Sequence, residues 1–268
     1  MGGVSVPQIH QRPIGELLRQ WREHRRMSQL DLAVQAGIST RHISFLETGR
    51  SNPSREMVLR LAEHLDLPLR ERNHLLLAAG YAPVYPESAL NTPRMAPVLE
   101  AIRRLLDAHM PYPALVVDRV WNMVDANAAV GLLSEGIDPD LLDNVLRASL
   151  HPEGLAPRIV NLGEWRAHLL GRLRRQRAFT GDPELESLYQ ELAAYPCDQP
   201  EPEIELPGPG DIMIPLRIRH GAGELSFFSI VATFGTPLDI TVAELAIESF
   251  YPADATTAEF VKNSGDLQ

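Results

Sequence analysis

The chain has one cysteine, Cys197, and one lysine, Lys262, among 268 residues. A lone thiol between Pro196 and Asp198 forms no internal disulfide and builds no thiolate metal site. No apolar run approaches the roughly 18 residues needed to span a bilayer. The opening, Met1 to Pro13, is polar and broken rather than a charged leader followed by an apolar stretch, so a cytoplasmic protein without membrane insertion is expected. Also missing are a glycine-rich phosphate loop, H-E-x-x-H and G-x-S-x-G, and Cys197 has no evident base partner. The expectation is therefore not an enzyme, with no cofactor and no metal. The scarcity of lysine reads as genomic base composition and carries no functional weight.

What is present is unevenly distributed. The net charge is −10 and hydrophobic residues make up 44% of the chain, a globular composition long enough for two domains. Residues 1 to 80 hold 11 Arg and 8 acids, a balance of +3, whereas the remainder holds 14 Lys plus Arg against 27 acids, a balance of −13. The acidic excess thus lies outside a basic head, and an acidic body disfavours nonspecific adhesion to nucleic acid.

Within that head, Met27 to Pro53 reads MSQLDLAVQAGISTRHISFLETGRSNP. Ser28 with Asp31 three residues on forms a capping-box pattern, Leu30, Leu32, Ala33 and Ala36 supply apolar contact, and Gly37 stands where a left-handed turn ends the helix. Ser39 caps a second helix in which Ile43 and Leu46 share one face, leaving Thr40, Arg41, Ser44 and Phe45 outward, and Gly49 ends it. Ile14, Leu17, Leu18 and Trp21 predict an earlier helix over 13–26. Ser54 opens a fourth through Val58, Leu61, Ala62 and Leu65, and Pro68 opens a fifth with Leu69 and Leu75 to Ala79 as its apolar side and Gly80 as its stop.

Two short helices joined by a glycine turn, inside a five-helix unit, resemble the repressor-type helix-turn-helix of the Xre and lambda-repressor class. The resemblance rests on S-Q-L-D-L-A, A-G-I-S and I-S-F-L-E-T-G-R-S-N-P. It implies that Thr40, Arg41, Ser44 and Phe45 contact bases in the major groove of a double-stranded operator. Arg41 would bond guanine O6 and N7, and Phe45 would touch a thymine methyl. It further implies phosphate contacts from Gln29, Ser39, His42, Arg50 and Asn52, a structural ion pair between Arg22 and Glu47, and a homodimer on half-sites about one turn apart.

Beyond this head, residues 81–96 contain Pro83, Pro86 and Pro93 without periodicity and read as a linker or strap. Residues 97–268 then form a second domain. Val98, Ile102, Leu105 and Leu106 mark a helix. Ala114 to Asp118 and Trp121 to Asp125 are strand-like around a turn at Arg119 and Val120, with Asn127 and a helical segment following. Helices are expected at about 140–150, 163–177 and 182–195. Strands are expected at Asp211 to Arg219 and Glu224 to Phe234, joined by His220-Gly221-Ala222-Gly223, and a last helix at Thr241 to Phe250. Arg166, Arg172, Arg174, Arg175 and Arg177 read as the solvated side of their helix, and His220 as exposed. Strands at both ends enclosing helices predict an α+β fold with an antiparallel sheet behind the all-α five-helix domain.

The same order resembles the MmyB-like regulators along nearly the whole chain, through STRHISFLETGR with PSREMVLRLAEHL, RERNHLLLAAGYAPVYPE, PYPALVVDRVWNMVDAN, LHPEGL and TFGTPLDITVAELAIESFYPAD. The resemblance implies a PAS-like ligand-binding domain, of a kind reported to hold fatty acids. An apolar pocket between sheet and helices would be lined by Val116, Trp121, Val124, Ile214 and Phe228 from the strands and by Trp165 and Leu169 from a helix. Arg119, His151 or an arginine near 172–177 would meet a ligand carboxylate, although His151, followed by Pro152, also reads as a hydrogen bonder at a helix end. Control by a protein partner rather than a ligand stays open as the alternative.

Overall fold

The computed structural model describes residues 12–202 and 213–265. The chain divides into two units, Met1–Glu87 with Leu238–Ile240, and Ser88–Pro237 with Thr241–Gln268.

The first unit is helical: α1 (Ile14–His24), α2 (Gln29–Ala36), α3 (Thr40–Glu47), α4 (Arg55–His64) and α5 (Leu69–Ala78). Its ends are set locally. Ser28 Oγ accepts from the Asp31 amide while the Asp31 carboxylate accepts from the Ser28 amide, and Gly37 closes α2 at φ +66°, which costs glycine nothing sterically. Ser39 and Ser54 accept from the His42 and Met57 amides to start α3 and α4. Leu18, Leu32, Ile43, Leu46, Leu61, Leu65, Leu75 and Leu76 fill one core. Leu30 departs from its expected role. It stands 59% exposed beside exposed Val34, because α2 turns Leu32, Ala33 and Ala36 inward and position 30 falls on the opposite face. Leu77 is exposed for the same reason on α5.

The segment after α5 stays with this unit as far as Glu87. Buried Asn73 accepts the Val84 and Tyr85 amides and donates to the Tyr85 carbonyl, Tyr81 Oη donates to the Pro53 carbonyl, and Arg70 pairs with Glu87.

The second unit begins with α6 (Ala96–Ala108), then β1 (Ala114–Val117), β2 (Met123–Ala126), α7 (Gly131–Ser134), α8 (Val145–Leu150), α9 (Leu162–Thr180) and α10 (Pro183–Ala194). It continues with β3 (Leu216–His220), β4 (Gly223–Thr233), α11 (Ile240–Ala243), β5 (Ala246–Pro252) and α12 (Ala255–Gly265). The strands form one antiparallel sheet in the order β2-β1-β5-β4-β3. Asp118 holds the β1–β2 turn by accepting from the Val120 and Asn122 amides. Buried Asn127 accepts from the Ala114 amide and donates to the Leu106 and Tyr112 carbonyls, tying the end of β2 to α6 and β1.

The helix expected over 241–250 is confined to its first turn, α11. Residues 246–252 are β5 instead, the central strand, bonded to β1 on one side and β4 on the other. β4 pairs along all of 246–252 and β1 along 246–249, and that tertiary pairing overrides the local helical pattern. Of the strand expected from Asp211, Asp211 and Ile212 lie outside the described residues, and pairing starts at Leu216. Helix α12 had no counterpart in the sequence reading. Leu105, expected on the apolar face of α6, is 56% exposed, since Ile102 and Leu106 meet the sheet.

Both faces of the sheet are covered over β1 and the start of β4, while the end of β4 from Ile230 is exposed. Ala114, Val116 and Ile247 face α6, whereas Leu115, Val117, Phe227 and Phe250 face the helices from α7 to α10. Arg166, expected to be solvated, is buried. It donates to the Leu192, Ala193 and Tyr195 carbonyls and pairs with Glu201. His220 is half-buried, edge-on to Phe260 and 3.7 Å from Glu135.

Candidate nucleic-acid interface and ligand cavity

The α3 surface is built around its two buried anchors. Ile43 and Leu46 are each 1% exposed, so Thr40 and Arg41 are turned to solvent at the start of the helix, with Ser44 and Phe45 half-buried one turn on. The Arg41 guanidinium lies 5.1 Å from the Phe45 ring centroid and that of Arg50 lies 5.9 Å from it. Neither arginine has an acid partner among the described residues, so both charges stay available to an outside anion. Gly49, at φ +70°, turns the chain so that the Arg50 and Ser51 amides return to the Phe45 carbonyl. That turn holds Arg50 beside α3, with Asn52 exposed just beyond. Ser39 is exposed and His42 half-buried at the same helix end.

Behind this surface Arg22 and Glu47 form a forked pair, Nε to Oε1 at 2.6 Å and Nη2 to Oε2 at 2.9 Å. The Glu47 side chain is 3% exposed. Arg22 Nη1 also donates to the Met27 carbonyl and Gln29 Nε2 donates to Glu47 Oε2. The pair therefore fastens α1 and the start of α2 to the end of α3, and the Gln29 amide, expected on a phosphate, is spent on Glu47. Its hydrogen bond with Glu47 raises the Arg22 guanidinium above its ordinary pKa. Gly15 is a partner that sequence reasoning missed. A Cβ placed there would stand 2.4 Å from the Leu46 carbonyl oxygen and 2.8 Å from that of Glu47, so α1 crosses the end of α3 backbone against side-chain-free backbone.

In the second unit a cavity of about 110 Å³ lies between the sheet and the helices α7, α8 and α9. Its wall is apolar apart from Ser134, Ser149 and Glu248. Of the residues expected to line it, Trp165 and Leu169 do. Val116 and Val124 do not, because they face α6, and their neighbours Leu115 and Met123 point into the cavity instead. A one-residue offset along a strand exchanges faces. Phe228 likewise lies on the far face, stacked on Tyr251 at 5.5 Å. Ile214 is half-buried against the core just ahead of β3. Trp121 is buried nearby, with Nε1 donating to Gln176 and the Arg172 guanidinium 4.2 Å from its ring centroid.

The cations expected to meet a carboxylate are otherwise engaged, Arg172 with Glu248 at 3.2 Å and Arg177 with Glu186 among them. Arg119 pairs with Asp182 and with Glu184 at 2.7 Å. His151 caps the end of α8, its Nδ1 accepting from the Glu153 amide, and sits edge-on to Tyr195. Glu248, which sequence reasoning passed over, is the ionisable group on the wall. Among the described residues no helix is long and apolar enough to cross a membrane.

A helical head that leaves Arg41 on α3 and Arg50 just beyond it open to an anion, ahead of an α+β domain with an apolar cavity, defines a class: a helix-turn-helix transcription regulator with a ligand-binding domain. Residues 13–75 match a helix-turn-helix domain model, and residues 98–263 match the MmyB-like transcription regulator ligand binding domain. The chain belongs to that MmyB-like family. It is also similar to RghRB, an uncharacterized HTH-type transcriptional regulator of Bacillus subtilis (strain 168), with 37% identity over 76 residues, 28% of this chain and 52% of that protein. The chain thus spans about half the length of that relative.

Proposed function

We propose that the chain is a sequence-specific DNA-binding regulator in which α3 reads bases and the second unit senses an apolar small molecule. The observation that carries the first part is the division of α3 into two buried anchors and an open side with Thr40, Arg41, Ser44 and Phe45, flanked by Arg50. One helix fits the major groove, about 12 Å wide, and Arg41 has the geometry to take guanine O6 and N7 together. Arg50 and Asn52, with the amide-rich start of α3 near Ser39 and His42, suit phosphate. Binding as a homodimer would place two such helices on half-sites one turn apart. The cavity supports the second part, since apolar walls with few polar groups suit a small ligand. An acyl chain is compatible with those walls, and the head group is a separate matter because the ionisable group there is an acid.

Sensing requires that the ligand bind two states of the chain with different affinity, because tight binding alone shifts nothing. The test is a footprint of the full chain on the DNA upstream of its own gene, with and without a lipid extract. Mass spectrometry of denatured purified protein would identify any co-purified molecule. A protected palindromic site that changes with the extract is expected. An unprotected upstream region would overturn operator binding. Protection indifferent to every extract, together with a co-purifying protein, would replace the ligand by a protein partner.

A further inference from the structure

Among the described residues the cavity wall presents one charged group, the carboxylate of Glu248, which pairs with Arg172 from outside the wall. Glu248 lies in the middle of β5 and is 6% exposed, yet it contributes to the cavity wall. Its Oε1 accepts from Arg172 Nη1 at 3.2 Å. Arg172 does not line the cavity; it lies over the Trp121 ring, behind the carboxylate. Among the described residues Oε2 takes no protein hydrogen bond, which leaves acceptor capacity unused in an apolar surround. Of the two hydroxyls on the wall, Ser134 donates to the Val130 carbonyl, whereas Ser149 accepts from Trp165 Nε1 at 3.0 Å and keeps its own O–H to donate.

We propose that Glu248 selects the head group, so that the ligand is a small apolar molecule ending in a hydrogen-bond donor, an alcohol or a protonated amine, and not a carboxylate. The inference rests on the reading of this cavity as a ligand site and adds the chemistry of its polar end. A donor head group would add a hydrogen bond to a wall carboxylate whose one protein partner among the described residues is Arg172. A second carboxylate would face Glu248 in a low-dielectric space, where two like charges cannot both stay ionised without cost. Size sets the other limit. About 110 Å³ is of the same order as the roughly 150 Å³ of an engineered apolar cavity that takes benzene, so short six-carbon ligands are fitting probes.

The test is calorimetric titration of the full chain at neutral pH with three probes of one chain length: hexan-1-ol, hexylamine and hexanoate. The alcohol and the amine are expected to bind, with hexanoate weaker by roughly tenfold or more. In Glu248→Gln the amine should lose about tenfold and hexanoate should recover to near the alcohol. Equal binding of all three to the unaltered chain would overturn head-group selection and leave the cavity reading standing, as would hexanoate binding tightest. Binding of none would overturn the cavity reading itself. The unaltered chain decides the matter even if Glu248→Gln folds poorly.

Discussion

Arg22→Met should cost the helical unit about 3–5 kcal/mol, because it leaves a carboxylate buried without its cation. The geometry fixes the estimate. Glu47 is 3% exposed at the side chain, both its oxygens are taken by the Arg22 fork, and the one donor remaining after substitution is the Gln29 amide. The Met27 carbonyl loses its donor as well. In a unit of this size each kcal/mol moves the melting midpoint by about 4–8 °C, so the single variant should lose at least about 12 °C. Replacing both partners, Arg22→Met with Glu47→Met, removes the stranded charge and should return to within about 1 kcal/mol of the parent. Hydrogen exchange of the full chain, resolved to the α1 and α3 amides, reads the opening free energy of this unit separately from the other. A single-variant loss below about 1 kcal/mol, the range of exposed pairs, would refute the reasoning. So would a double variant no better than either single one, since the coupling would then be absent.

Other consequences follow from the same geometry. Gly15→Ala should destabilise the helical unit by about 1–3 kcal/mol in denaturant unfolding, overpacking against the α3 carbonyls outweighing the roughly 1 kcal/mol gain in helix propensity; a neutral or stabilised variant would mean that α1 does not press on α3. Arg41→Ala should relax preference at one base position, whereas Arg50→Ala should weaken binding to all sequences alike and flatten the salt dependence by up to about one unit. Equal losses on operator and random DNA for both would dissolve that division of roles. Burial, and then the hydrogen bond to Glu191, push the Tyr195 phenol up to about 12 from its ordinary 10. Its contribution to stability is therefore fully present below pH 10 and lost as pH rises towards about 12, a fall that Tyr195→Phe should flatten, with tyrosinate absorbance reporting the titration.

The helical unit was legible because its signals are local. Ser28 with Asp31, Gly37, Ser39 and Ser54 each decide an end of a helix within a few residues of themselves, and the structure places each cap where the sequence predicts it. Even the pairing of Arg22 with Glu47 followed from a resemblance carried by that short run. What escaped was contact between helices: nothing around Gly15 says that another helix's carbonyls pass over it, and Leu30 looks as apolar as its buried neighbours.

The cavity was harder for a physical reason that also explains which residue was missed. A strand covered on one face alternates, and its inward side can be read off; β1 is Ala-Leu-Val-Val, buried at all four positions because α6 covers one face and the helices after β2 the other. Without alternation Val116 and Leu115 are equivalent on paper, and choosing between them requires the partner strand. That partner is β5, some 130 residues away, whose Glu248 stands four residues after Glu244, the spacing of the wet face of a helix. As a strand the segment instead puts Glu248 opposite Leu115 on the cavity face. The one misassigned element therefore hid the one charge in the pocket, and a helical reading would have given that carboxylate to water. Its burial costs stability unless something answers it. Arg172 answers one oxygen, and the head-group proposal assigns the other to a donor on the ligand.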